Sequence, residues 1–215
     1  MAGLRARQKH DRNRRIVEAA ARLFRETGFE RLKIETLAEA AGLSVGTIYN
    51  YYEGKGDVLI AVVSLEVNEV IATGEAVLGH DWPSATAAVD ALFDIYLRHS
   101  LHYLSKEMWR AAMSMSILHP EARLSRHYRD LDERLCDQVC RLLDRLEMRG
   151  LVAPRAGDPV LGRILFNTMN QSFMNFVIDE AMEMEALIRD VAVQTAALMA
   201  RVAPPQNGSR LLQPG

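Results

Sequence analysis

The chain has 215 residues, of which 49% are hydrophobic and 25% are charged. This composition can supply a folded core and excludes general disorder, while two cysteines are too few for a disulfide scaffold. The sequence shows neither a signal peptide nor an apolar run of about 18–20 residues, so we expect a soluble cytoplasmic protein without a membrane partner.

The net charge of −2 conceals an asymmetry along the chain. Residues 1–60 contain 11 basic and 8 acidic side chains, against 15 and 20 in the remainder. The first 15 residues are the most basic, with one acid, Asp11, among Arg5, Arg7, Lys9, Arg12, Arg14 and Arg15. A basic N-terminal segment followed by an acidic remainder favours a phosphate-binding domain joined to a second domain. The alternative is a solvated tail whose charge only aids solubility.

Three short helices are predicted in the first 52 residues. Residues 11–27 form an amphipathic helix that ends at Gly28. Residues 34–52 indicate a second helix, a turn at Gly42 and a third helix with Ser44 as its N-cap. A helix-turn-helix places its second helix in the major groove of DNA. The outward side of that helix carries hydrogen-bonding groups suited to a phosphate or a base edge, namely those of Thr47, Tyr49, Asn50 and Tyr51.

A set of short motifs occurs in order between residues 11 and 59. They are Arg15-Ile16-Val17-Glu18-Ala19-Ala20, Leu23-Phe24, Gly28-Phe29, Leu37-Ala38, Ala41-Gly42-Leu43-Ser44, Gly46-Thr47-Ile48-Tyr49, Tyr51-Tyr52 and Lys55. This set closely resembles the tetracycline-repressor (TetR) family. The resemblance implies an all-α homodimeric transcription regulator, usually a repressor that a small ligand releases from its operator.

The resemblance also implies which residues contact DNA. It maps base and groove contacts onto Ser44, Val45, Thr47, Tyr49, Asn50 and Tyr51, and a backbone contact onto Lys55. Two positions depart from the family. Lys33 stands where Ser or Thr usually caps the first helix of the pair, and it is itself a candidate phosphate contact. Val45 cannot donate a hydrogen bond, so it can touch only a thymine methyl group or a sugar.

The rest of the chain has helical periodicity throughout. Helices are predicted at residues 57–78, 84–104, 106–117, 121–149, 159–182 and 183–203, followed by a disordered tail at 204–215. The predicted fold class is therefore all-α. Residues 1–56 would form a three-helix DNA-binding domain with a basic arm, and residues 57–203 an all-helical ligand-binding and dimerisation domain.

The last two predicted helices carry apolar stripes that could pair across a two-fold axis. The stripes are Leu161, Leu165, Phe173 and Phe176 on one helix, and Val191, Thr195 and Leu198 on the other. Burial of the same stripes inside one protomer is the alternative.

Apolar and amide side chains in the body suggest a pocket for a small, largely apolar effector. The candidates are Met108, Trp109, Met113, Tyr128, Asn167, Asn170, Gln171 and Met174. The alternative is that the apolar members are ordinary core and that the amides bond across the dimer.

No catalytic, metal or cofactor site is predicted, and the chain is not expected to be an enzyme. Gly42 to Gly46 fits G-x-S-x-G, but the hydrolase motif requires a preceding strand, and here a helical pattern precedes it. Cys136 and Cys140 are interpreted as small buried hydrophobes. A thiol-switched regulator and a ligand-binding dimer that acts through a protein partner are the alternative functions.

Overall fold

The computed structural model describes residues 2–154 and 158–204, which fold into nine α-helices without a strand. The helices are α1 (Ala2–Thr27), α2 (Ile34–Ala41), α3 (Val45–Tyr49), α4 (Lys55–Gly79), α5 (Ala85–His99), α6 (Lys106–Leu118), α7 (Arg123–Met148), α8 (Pro159–Ile178) and α9 (Met184–Met199). The predicted all-α fold class is confirmed. The predicted disordered tail lies, apart from Pro204, outside the described residues.

The predicted helix ends agree closely with the structure wherever a local signal marks them. Gly28 and Gly42 adopt left-handed backbone conformations, with φ of 79° and 62°, and terminate α1 and α2. Pro159 lies in the first turn of α8, as predicted. The basic N-terminal segment differs from the prediction, because α1 begins at Ala2 instead of near residue 11.

The centre of the molecule is formed by α4 and α7. Helix α4 is buried on more than one side, and it contacts α1, α5, α6 and α7. Gly74 permits this close packing, because a Cβ atom there would lie 2.5 Å from Gln138 Oε1 of α7. Buried residues of α1, α2 and α3 join the same hydrophobic core as the body, so α4 links the N-terminal three helices to the rest.

Helices α8 and α9 pack against each other and against α5, α6 and α7. This packing contradicts most of the predicted dimer stripe. Five of its members are at most 6% exposed within one protomer, namely Leu165, Phe173, Phe176, Val191 and Thr195. Side chains that are already covered have no surface left to bury against a partner, so their assignment to an interface is wrong. Leu161 and Leu198 are half-buried and lie at the margin of this core.

In the described part of the chain, no helix is both long and apolar enough to cross a membrane.

Candidate DNA-binding face and effector cavity

The turn between α2 and α3 is held in place by α1. Arg15 donates from Nη2 to the carbonyl oxygens of Ala41 and Gly42, at 2.5 and 3.1 Å. A Cβ atom on Gly42 would lie 2.6 Å from the same nitrogen. The sequence indicated the glycine turn, but no pattern in it predicted that Arg15 forms hydrogen bonds to this turn.

Ser44 caps α3 as predicted. Its hydroxyl accepts from the Thr47 amide at 3.1 Å, and it lies 2.8 Å from the Thr47 hydroxyl. Ser44, Tyr49 and Asn50 are exposed, and the Tyr49 side chain has 53% of its surface free. Ile48 faces inward and is fully buried. The helix therefore presents one polar face to solvent while its apolar side anchors it.

The remaining predicted DNA contacts are partly engaged inside the protein. Val45 is half-buried and packs against the core, which explains an apolar residue at this position. Tyr51 is half-buried, and its hydroxyl donates to the Lys9 carbonyl oxygen at 3.3 Å. Tyr52 next to it donates to Asn13 Oδ1 at 2.6 Å, and burial raises its pKa to about 12. These contacts join the end of α3 to α1.

Lys55 differs most from the prediction. Its ammonium group donates to the carbonyl oxygens of Phe29 and Glu30, at 3.3 and 3.0 Å, and lies 4.7 Å from the centre of the Phe29 ring. Lys55 thus holds the α1–α2 loop instead of pointing freely into solvent. Lys33 is exposed and extended at the N-cap of α2 and forms no side-chain cap, so the unusual start of this helix is confirmed.

The basic side chains of α1 extend the polar surface. Arg7, Lys9 and Arg12 are exposed, and none has an acidic partner among the residues described. Arg14 is instead paired with Asp11 at 3.1 Å. Contacts to DNA phosphates require positive charge, and contacts in a groove require exposed polar side chains. The basic side chains of α1 and the polar face of α3 provide these two properties.

A cavity of about 60 Å³ lies in the body between α4, α5, α6, α7 and α8. Its walls are largely apolar and include five aromatic side chains, Tyr96, Trp109, Tyr128, Phe166 and Phe173. A second pocket of about 210 Å³ adjoins it toward α7 and α8. Asp132, Phe166 and Asn170 line both spaces.

Two carboxyl groups stand in the wall of the cavity. Glu66 is nearly inaccessible, and burial raises its pKa. It accepts from the Tyr103 amide at 3.2 Å and contacts His99 Nδ1. Burial also raises the pKa of Asp132, to about 6, and the neighbouring Glu133 adds to the rise. Neither carboxyl was among the residues predicted to bind ligand. The signal available in the sequence was the position of Asp132 one turn after Tyr128.

The structure brings only three of the eight predicted ligand residues into this cavity, Trp109, Tyr128 and Asn170. The other predictions are not supported. Met108 is fully buried core, and Met113 and Met174 are half-buried away from the cavity. Asn167 lines the adjoining pocket. Gln171 is on the outer face of α8, where it donates to Asn175 Oδ1 at 3.2 Å.

The two thiols have the environment of packed core. Burial raises the pKa of both thiols, that of Cys136 to about 11. Cys140 packs where α7 and α8 approach closely, because a Cβ atom on Gly162 would lie 2.5 Å from its sulfur. In the described ranges, no group of three or more His, Cys, Asp or Glu side chains is arranged to hold a metal ion.

Residues 16–62 match the family described as bacterial regulatory proteins, tetR family. The chain is similar to the HTH-type transcriptional regulator BetI of Stenotrophomonas maltophilia, with 31% identity over 169 residues, which cover 74% of this chain and 85% of that protein. It is also similar to the fatty acid metabolism regulator protein of Bacillus subtilis, with 31% identity over 65 residues, or 30% of this chain. That match spans only 34% of the Bacillus protein.

Solved structures share the whole fold at lower sequence identity. FadR of Thermus thermophilus, a TetR-family repressor in complex with lauroyl-CoA, is 21% identical with a TM-score of 0.67, and the match covers 94% of this chain and 99% of that one. A protein of Saccharomonospora viridis in complex with choline is 18% identical with a TM-score of 0.60, covering 83% and 92% of the two chains.

Proposed function

Because the chain belongs to the tetR family of bacterial regulatory proteins, we propose that it is a homodimeric repressor which binds a palindromic operator and is released by a small effector. The observation that carries this proposal is the exposed polar face of the Ser44-capped α3 beside the basic side chains of α1. Ser44, Thr47, Tyr49 and Asn50 would contact the major groove.

Lys33 and the exposed basic residues of α1 would contact the phosphate backbone on either side of that groove. Val45 and Tyr51 would touch the DNA only with the parts of their side chains that the core leaves free. The half-buried Val45 packs its apolar side chain against the core, so an apolar residue at this position is compatible with DNA binding by α3.

The outer face of α8 and α9 supports dimerisation. Four large hydrophobic side chains lie exposed on these helices, Val160, Ile164, Ile178 and Val193, the last with 70% of its surface free. They are interspersed with polar groups such as Gln171 and Gln194. Exposed large hydrophobic side chains on adjacent helices are typical of a surface that a partner covers. Pairing of this face around a two-fold axis would form a four-helix interface, with Leu161 and Leu198 at its edge.

Contacts between the body and α1 support control by an effector. Arg25 of α1 donates to the carbonyl oxygen of His102, at 3.1 Å, in the connection between α5 and α6. The same connection is bound to the cavity wall, because Glu66 accepts from the Tyr103 amide and contacts His99. A ligand that displaces Glu66 would move this connection and, through Arg25, the DNA-binding helices. For release from the operator, the ligand must bind more tightly to the conformation in which the spacing of the two DNA-binding domains does not fit the operator.

Similar structures bound to lauroyl-CoA and to choline show that related chains hold ligands of very different chemistry. We propose a small effector here, because the cavity has a volume of only about 60 Å³ and opens toward a pocket of about 210 Å³.

Selection of binding sites from random DNA tests the DNA-binding part of the proposal. Enrichment of a palindrome whose half-site centres lie about 34–36 Å apart, or a multiple of this, is the expected result. Tyr49→Phe removes one hydroxyl group and keeps the ring, so operator affinity should fall about five- to tenfold. Binding to unrelated DNA at low salt should stay unchanged and serves as the control. Enrichment of no sequence would favour a regulator that acts through a protein partner.

A further inference from the structure

We propose that the cavity between α4 and α8 binds a small organic cation, with the positive charge held by Asp132 and the alkyl groups packed against aromatic rings. The inference rests on the proposed function, because it names the chemical class of the effector that would control DNA binding. Three features of the cavity support it, namely its aromatic walls, its uncompensated negative charge and its polar groups without protein partners.

The aromatic walls suit the alkyl groups of an ammonium ion. Five rings surround a space of about 60 Å³. Trp109 and Phe173 meet edge to face with their centres 5.2 Å apart, which fixes their orientation. The faces of aromatic rings carry negative potential and attract cations, most strongly when water is excluded. A cavity needs about 10–15 Å³ to hold one water molecule, so this cavity admits a compact group of a few heavy atoms.

The charge of the wall is negative and one carboxylate is left without compensation. No Lys, Arg or His is among the described residues that line the cavity. Glu66 is already engaged by His99 and the Tyr103 amide. Asp132 has no hydrogen bond or ion pair within residues 2–154 and 158–204. A ligand cation would supply the missing partner.

The two basic residues that line the adjoining pocket are occupied elsewhere. Arg163 lines the adjoining pocket, but it pairs with Glu133 at 3.1 Å. Arg129 lines the same pocket and donates to the Pro120 carbonyl oxygen at 3.0 Å. Both guanidinium groups of the adjoining pocket are thus bound to acceptors other than Asp132.

Two further polar groups converge on the cavity without protein partners in the part of the chain that the structure describes. The Tyr128 side chain is 9% exposed, and its hydroxyl forms no hydrogen bond there. The Asn170 amide lines both the cavity and the adjoining pocket and is likewise unpaired. Tyr128 and Asp132 are one helical turn apart on α7, so their polar ends can reach one ligand. A hydroxyl or carbonyl group on the cation would meet Tyr128 or Asn170 as a hydrogen-bonding partner.

An anionic ligand fits this wall poorly. A fatty acid or an acyl thioester could place its chain among the aromatic rings, but a carboxylate head at the junction would face Asp132. Repulsion between like charges in a buried site would weaken its binding. Lauroyl-CoA is therefore the competing probe.

Isothermal titration of the full-length protein at pH 7.5 tests the proposal with choline, benzyltrimethylammonium and lauroyl-CoA. The decisive control is 3,3-dimethylbutan-1-ol, which has the shape of choline but no charge. We expect at least one cation to bind, and the neutral alcohol to bind at least about tenfold more weakly than choline. Asp132→Asn should weaken cation binding at least about tenfold. Asp137→Asn, at an exposed position of the same helix, should leave it unchanged.

Equal binding of choline and its neutral isostere would overturn the proposal, as would full cation affinity in folded Asp132→Asn protein. Binding of lauroyl-CoA without binding of either cation would also overturn it. A parallel titration of the protein–operator complex separates this result from the proposed function. If a cation binds but operator affinity stays unchanged, the result supports an organic cation as the ligand of the cavity and overturns the proposal that this ligand releases the operator. Release of the operator by lauroyl-CoA and not by either cation supports the proposed regulator function and overturns the assignment of an organic cation as effector.

Discussion

Replacement of Asp132 by Asn is expected to stabilise the folded protein near neutral pH. Asp132 has a pKa of about 6 in the folded protein against 3.8 for a free side chain, mainly because burial disfavours its charged form. Asn keeps the size and the hydrogen-bonding ends of the side chain but cannot ionise. The substitution therefore removes a half-buried charge without creating a large cavity.

The size of the effect follows from the difference in pKa. A difference of about 2 corresponds to about 3 kcal/mol of unfolding free energy, since each pKa unit is about 1.4 kcal/mol. The folded protein binds the proton more tightly than the unfolded chain, so the favourable contribution is complete below about pH 4 and is lost as pH rises through about 6. The gain from Asp132→Asn should thus be largest above pH 6 and about half as large at pH 5.

Thermal unfolding followed by circular dichroism measures this gain at pH 7.5 and pH 5.0. Protein concentration must be equal in all samples, because association shifts the midpoint. For a chain of this size 1 kcal/mol moves the midpoint by about 2–4 °C, so a rise of several degrees is expected at pH 7.5. Asp137→Asn, which is exposed, serves as the matched control. A midpoint for Asp132→Asn at or below that of the wild type at both pH values would refute the reasoning.

Two further predictions concern the turn and the dimer. Gly42→Ala should destabilise the protein by about 1–3 kcal/mol, because φ is 62° and the new Cβ atom would meet Arg15. Gly79→Ala is the control, because its Cβ atom would lie in open space and the substitution should not lower stability. Thermal midpoints compare the two variants, and equal midpoints would contradict the strain argument. Val193→Glu should convert the proposed dimer to monomer in light scattering after size exclusion, and Ile117→Glu, equally exposed on α6, should not. A dimer that survives Val193→Glu would place the interface on another face.

The sequence alone predicted the helices and the helix-turn-helix, because their signals are local, although the predicted ends of α5 and α8 lay four to five residues too late. The glycine turn at Gly42 and the Ser44 cap are properties of a few adjacent residues, and both were confirmed. Helical periodicity likewise gave the all-α fold, since a 3.6-residue repeat shows in any window of sequence. The basic segment before the first helix was seen too, although its continuation as helix was not.

The tertiary structure decided what each face meets. Periodicity shows that α8 and α9 have an apolar stripe, but not whether the protomer or a partner covers it, and here Phe173 and Val191 are covered by the protomer itself. Lys55 carries the same charge whether it binds a phosphate or the carbonyl oxygen of Glu30, and only the folded loop places that oxygen 3.0 Å away. The chemistry of Asp132 likewise depends on burial among side chains from several helices, which no local pattern contains.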